Sequence, residues 1–243
     1  MSDSADGRGK LILALDVQEY EYALNLVDTF HDHISIFKVG LELFLSAGPR
    51  IVEEIHKRGR KVFLDLKFHD IPNTVSKAAV AATRMGVYMF NVHASGGFDM
   101  MKKCSDSVVQ TCLKENIERP KVLGVTVLTS LSREMLRDEL GIQYGMRTHV
   151  KHLAALSQKA GLDGVVSSAR EVEAIRNSCG TGFLIVTPGI RPSWSPPDDQ
   201  NRTMTPKEAI REGADYLVMG RAILQQKNPL NVIELINLEI LSA

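Results

Sequence analysis

Two hydrophobic periods take turns along this chain. Short β-rich runs, LILALDV, ISIFKVG, KVFLDLKF, VYMFNV, KVLGVTVLT, DGVVSS, FLIVTPG and DYLVMG, recur at regular places, and each is followed by a helical pattern. Punctuation supports this division. Gly59, Gly86, Gly161 and Gly213 stand just ahead of the third, fourth, sixth and eighth runs, where a helix end calls for a residue that adopts the left-handed conformation without a Cβ clash. A helix start is marked at Thr205-Pro206-Lys207-Glu208 by a threonine cap, a proline in the first turn and a glutamate three residues after the cap. Ser168 to Glu171 repeats that spacing. The closing segment NPLNVIELINLEILS has helical apolar spacing and is expected to pack as the last helix.

Alternation of strand and helix implies a parallel sheet with right-handed crossovers. Eight such units in about 250 residues predict an α/β protein, a single-domain (β/α)8 TIM barrel. The barrel is expected over residues 10–243, behind a polar, disordered tail of residues 1–9. An open doubly wound sheet is the alternative, but it usually carries a GxGxxG turn after its first strand; here Asp16-Val17-Gln18-Glu19 follows instead. No Ser/Gly-rich linker interrupts the pattern. One long irregular stretch, GIRPSWSPPDDQNRT from Gly189 to Thr203, is rich in proline and polar residues and holds the only tryptophan, Trp194.

Composition narrows the field of partners. Lys+Arg and Asp+Glu number 29 each, for a formal net charge of zero, so no electrostatic reason points to nucleic acid or an anionic membrane. The N-terminus lacks the apolar core of a signal peptide, and no run approaches the ~18 apolar residues of a membrane span. The three cysteines form no CxxC pair and read as reduced thiols of a cytoplasmic protein, with no zinc site behind them.

Charges enter the strands where they are least expected. Residues two apart on a strand share a face. In KVFLDLK, Val62, Leu64 and Leu66 form one face suited to packing under helices, while Phe63, Asp65 and Lys67 form the face that points into a barrel. The first strand divides likewise into Leu11, Leu13 and Leu15 against Ile12, Ala14 and Asp16, and Lys38 falls near the end of the second. Asp16, Lys38, Asp65 and Lys67 should therefore converge at one mouth of the barrel. Active sites of this fold sit at that face, and buried charges of alternating sign offset one another's burial cost while setting up a strong local field. The loops after the last two strands, TPGIRP and MGRAI, lie where this fold often binds phosphate. Gly220 would allow close approach there, with Arg191 and Arg221 supplying charge.

Taken in order, ALD at Ala14, FKVG, FLDLKFHDIPNT, NVHASGG, VTVLTS, DGVVSSA, VTPGIRP and MGR resemble the orotidine 5′-phosphate decarboxylase family in its bacterial form, over nearly the whole chain. The resemblance implies a homodimeric barrel that converts orotidine 5′-phosphate to UMP without metal or cofactor. It implies a charged array of Lys38, Asp65, Lys67 and Asp70, with Lys67 as the proton donor. Asp70, Ile71 and Thr74 would reach into the partner's site. Asp16 and Lys38 would hold ribose hydroxyls, Thr129 and Ser130 the pyrimidine edge, and Gln200, Arg191, Gly220 and Arg221 the phosphate. Pro188 would line the site, and residues 189–203 would close over it. A second domain for the preceding phosphoribosyl transfer is not expected.

Two rival readings stand beside this one. Related sugar-phosphate enzymes share DxKxxD and the phosphate loops but use Mg2+, typically held by an acidic residue at the position of Lys38, where a lysine would repel the ion. A catalytically silent nucleotide binder would need the phosphate grip but not Asp65, Lys67 and Asp70. Three histidine features are assigned no chemistry: His31-Asp32-His33 at the opposite end of the barrel, His69, and His93, which is read as structural or as a partner of Asn91.

Overall fold

The computed structural model describes residues 8–192 and 204–243. Eight strands close into one parallel barrel in strict chain order. They are β1 (Leu11–Ala14), β2 (Ile36–Gly40), β3 (Lys61–Phe68), β4 (Met89–His93), β5 (Lys121–Val125), β6 (Gly164–Val166), β7 (Leu184–Pro188) and β8 (Tyr216–Met219). Seven fall within the runs read from the sequence, and β4 runs one residue past VYMFNV to His93. β1 pairs with β8 through Ile12 and Val218, which closes the ring. Of the tail expected over residues 1–9, Arg8–Lys10 form a 3-10 turn leading into β1, and residues 1–7 lie outside the described residues.

Eleven α-helices, rather than one per strand, surround the barrel among the described residues. They are α1 (Tyr20–Phe30), α2 (Leu41–Ala47), α3 (Arg50–Lys57), α4 (Pro72–Arg84), α5 (Phe98–Glu115), α6 (Arg133–Asp138), α7 (Met146–Lys159), α8 (Val172–Cys179), α9 (Pro206–Arg211), α10 (Arg221–Leu224) and α11 (Pro229–Leu241). The excess arises where one crossover carries two helices. After β2 the chain breaks at Gly48, whose φ of 65° only glycine takes readily, and at Pro49. Thr205 makes the expected capping box with Glu208 ahead of α9. Ser168 instead caps a single 3-10 turn, Ala169–Glu171, accepting from the Arg170 N–H, and Glu171 is buried.

Strand alternation sorts the apolar residues into two cores. Ile12, Ala14, Ile36, Phe63, Met89, Leu123, Val186 and Val218 fill the barrel interior. Leu11, Leu13, Leu15, Val62 and Leu64 face outward and pack with Ala23, Val27, Ile51 and Ile55 from the helices. At the floor of the barrel the Tyr88 and Tyr216 hydroxyls meet at 2.8 Å. The interior core ends below the C-terminal rim, and that rim holds the charges.

Candidate active site

The four charges expected at the mouth are brought together as an unbroken chain of alternating sign. Lys38 Nζ donates to Asp16 Oδ1 at 2.8 Å and lies 3.4 Å from Asp65 Oδ2. Lys67 Nζ donates to the other oxygen, Asp65 Oδ1, at 2.8 Å. The side chains of Lys38 and Asp65 are only 10% and 12% exposed, Lys67 is 30% exposed and Asp16 53%. Burial opposes the charge on Lys38, yet Asp65 and Asp16 outweigh it, so this lysine holds its proton more tightly than an ordinary one. Gly40 makes room for it: a Cβ there would stand 3.1 Å from Lys38 Nζ.

The backbone at Lys67 departs from strand geometry. Its φ is +51°, in the left-handed region that residues with a Cβ seldom enter. The register of β3 against β4 shifts between Leu64 and Phe68 at the same place. Asn91 fills the break from the inner face of β4, with none of its surface exposed. Its Oδ1 accepts from the Lys67 backbone N–H at 2.8 Å, and its Nδ2 donates to Asp65 Oδ1 at 2.7 Å. His93 is not its partner: that ring packs 5.2 Å from the ring of His69. Burial, and then the nearby charges of His69 and Lys67, keep His93 below the usual histidine range, against a weaker opposite pull from Asp65.

Two adjoining cavities open on this chain. The larger, about 260 Å3, has Lys38, Asp65 and Lys67 on one wall and Val127, Val166, Thr129, Ser130 and Pro188 among the rest. The smaller, about 130 Å3, is lined by Asp16, Lys38, Gly189, Arg191, Gly220 and Arg221. Lys38, Pro188 and Val218 belong to both. The mouth is thus one groove with a half-apolar chamber and an arginine-lined chamber. At Gly220 an added Cβ would meet Ala14 Cβ at 3.2 Å, so the backbone there runs hard against β1. The neck of the irregular segment is stitched: Ile190 bridges to Met204, and Arg191 N–H donates to Met204 O at 3.0 Å.

Asp70, Ile71 and Thr74 do not join the array within one chain. They are exposed at the β3–α4 connection, and Asp70 Oδ1 accepts from its neighbour Ile71 N–H at 2.6 Å. Gln200 lies outside the described residues. Gly40 carries no role in the sequence reading, and Asn91 enters it only as a partner of His93; the signal for Asn91 is a lone amide at inward parity in VYMFNV. At the opposite end, His31 Nδ1 contacts Asp28 O at 2.7 Å. No cluster of three or more metal-ligating side chains occurs among the described residues, and none of the helices they form is long and apolar enough to cross a membrane. Cys104, buried and free, has its thiol pushed up to about 12 by burial, only slightly offset by Arg119.

Comparison with known proteins places these features in context. The profile of the Orotidine 5′-phosphate decarboxylase / HUMPS family matches residues 9–236. The chain is 50% identical over 239 residues to the orotidine 5′-phosphate decarboxylase of Geotalea daltonii, covering 98% of each. It is 51% identical over 222 residues to that of Syntrophomonas wolfei, covering 90% of this chain and 92% of the relative. The crystal structure of orotidine 5′-phosphate decarboxylase from Lactobacillus acidophilus superposes with a TM-score of 0.82 at 37% identity, over 96% of this chain and 99% of that one.

Proposed function

The chain belongs to the orotidine 5′-phosphate decarboxylase / HUMPS family, and from that premise we propose that it is a lyase converting orotidine 5′-phosphate to UMP and CO2, without metal or cofactor. The observation that carries this reading is the alternating series Asp16–Lys38–Asp65–Lys67, whose last three members form a wall of the larger cavity. In the Mg2+-dependent reading an acid would be needed where Lys38 stands. A buried ammonium there, held between two carboxylates, disfavours a divalent cation.

The proposed roles follow the groove. The phosphate takes the smaller chamber with Arg191, Gly220, Arg221 and Gln200, and residues 189–203 close over it, so that remote binding energy orients the ring. Asp16 and Lys38 hold ribose hydroxyls. Thr129 and Ser130 meet the pyrimidine edge, with Pro188 beside it. The carboxylate-bearing carbon lies toward Asp65 and Lys67. When the bond to the carboxylate breaks, CO2 leaves and the electron pair stays on the ring carbon. The Lys67 ammonium stabilises that pair and gives it a proton, and the neutral amine is reprotonated by solvent. One charge pair at 4 Å is worth about 4 kcal/mol at an effective dielectric of ~20, so Lys67 accounts for only part of an enzymatic acceleration.

The active unit is proposed as a cytoplasmic homodimer of one catalytic domain, residues 10–243, with Asp70, Ile71 and Thr74 completing the partner's site. Their exposure supports this assignment. The deciding experiment follows orotidine 5′-phosphate by ultraviolet absorbance with purified protein in excess EDTA. We expect rapid conversion to UMP, and a loss of more than about 1,000-fold in kcat for Lys67→Ala at unchanged fold. A native protein inert on this substrate in EDTA but active on a sugar phosphate with Mg2+ would overturn the reading.

A further inference from the structure

Among the described residues, Asn91 alone grips both the backbone of the proposed proton donor and the carboxylate that aims it. Both ends of its amide are committed, one to the Lys67 N–H and one to Asp65 Oδ1. A flipped amide would set donor on donor and acceptor on acceptor, so chemistry fixes its orientation. The side chain is fully buried in the inner layer of β4, between Met89 below and His93 above. A leucine would keep its branched shape, with bulkier methyl groups, and satisfy neither partner. An aspartate would keep the acceptor for Lys67 but lose the donor and set a second carboxylate against Asp65. Asn91 also stands at the register shift of β3, where Lys67 holds φ +51°. Without an acceptor at this point the Lys67 N–H is orphaned, and the backbone is free to relax toward extended geometry. That relaxation would draw the ammonium off Asp65 Oδ1.

We propose that Asn91 is a positioning residue. It clamps Lys67 in its left-handed conformation and Asp65 in its rotamer, so that the ammonium is already aimed before substrate arrives. Its role in turnover rests on the decarboxylase reading; the clamp itself does not. A displacement of about 1 Å at a reacting group is enough to cost roughly 100-fold in rate, and the effect should fall on kcat rather than on substrate binding.

The test compares native protein with Asn91→Ala, Asn91→Leu and Asn91→Asp in two measurements. The first is amide hydrogen exchange at Lys67 relative to Phe63 and Leu64 on the same strand. The second is kcat and KM with orotidine 5′-phosphate. We expect Lys67 to lose protection in the Ala and Leu variants while Phe63 and Leu64 keep theirs, and to stay protected in the Asp variant. In all three, kcat should fall by roughly 100-fold with KM within about 3-fold of native. If the Ala variant loses protection throughout the barrel, the Leu variant, which leaves no cavity, and the near-isosteric Asp variant decide. Unchanged protection at Lys67 in the Ala and Leu variants, or native kcat in the Leu and Asp variants, would overturn the proposal. A native protein without turnover would overturn the function proposed above and leave the clamp to stand or fall on exchange alone.

Discussion

Burial divides the carboxylates of the mouth into two kinds. Asp65 is 12% exposed and is shared by two lysines and an asparagine, whereas Asp16 is 53% exposed and serves Lys38 alone. Removing one member of a buried charge network leaves its partners uncompensated, at about 3 kcal/mol, while an exposed pair is worth under about 1 kcal/mol. Asp65→Asn should therefore lower Tm by about 8 °C at neutral pH, and Asp16→Asn by less than about 3 °C, as read by thermal denaturation. Equal shifts would contradict the division. At this scale the sequence was legible where parity governs: Asp16, Lys38, Asp65 and Lys67 could be placed because strand side chains alternate. The role of Asn91 and the turned backbone of Lys67 were hidden, because they depend on a register shift between two strands that no one-dimensional period records. Asp70 stands apart within one chain, exposed beyond the end of β3.

Strands were easier to read than crossovers. Each β run combined apolar content with a glycine or a cap nearby, but the paired helices after β2, β5 and β8 follow from local breaks such as Gly48-Pro49 that interrupt one apolar pattern without changing its period. The shortest strand makes a sharp demand. β6 has three residues, and a Cβ on Gly164 would fall well inside contact distance of the Leu184 carbonyl oxygen and 2.5 Å from Leu184 Cβ on β7. Backbone cannot swing aside as a rotamer can. At Gly96, by contrast, the added Cβ would meet the flexible end of Met100. Gly164→Ala should cost about 2–3 kcal/mol and lower Tm by about 5–10 °C, whereas Gly96→Ala should cost less than half as much in the same melting experiment. A silent Gly164→Ala would mean that β6 and β7 can part without loss.

Over the whole molecule, pH acts through histidines that folding has made reluctant to charge. Burial lowers the pKa of His56, His93 and His149. The unfolded chain takes up protons near pH 6.5 while these folded sites resist, so their contribution is intact above that value and is lost as pH falls through the depressed folded values. Tm should decline from about pH 6.5 downward, before carboxylates titrate, and His56→Gln with His149→Gln should flatten that limb in calorimetry across a pH series. Lys38 behaves oppositely: its raised pKa leaves its contribution whole below 10.5 and removes it only at higher pH. Closure of the barrel was legible from the count of units, and it has a consequence for assembly. The ring of eight strands returns from β8 to β1, so among the described residues no barrel strand is left as an edge to offer backbone amides and carbonyls to a neighbour. Two copies cannot join by extending one another's sheet. Any contact between copies would be made by side chains of helices and rim loops, a surface that a few substitutions can redraw without touching the hydrogen bonds that hold each barrel shut.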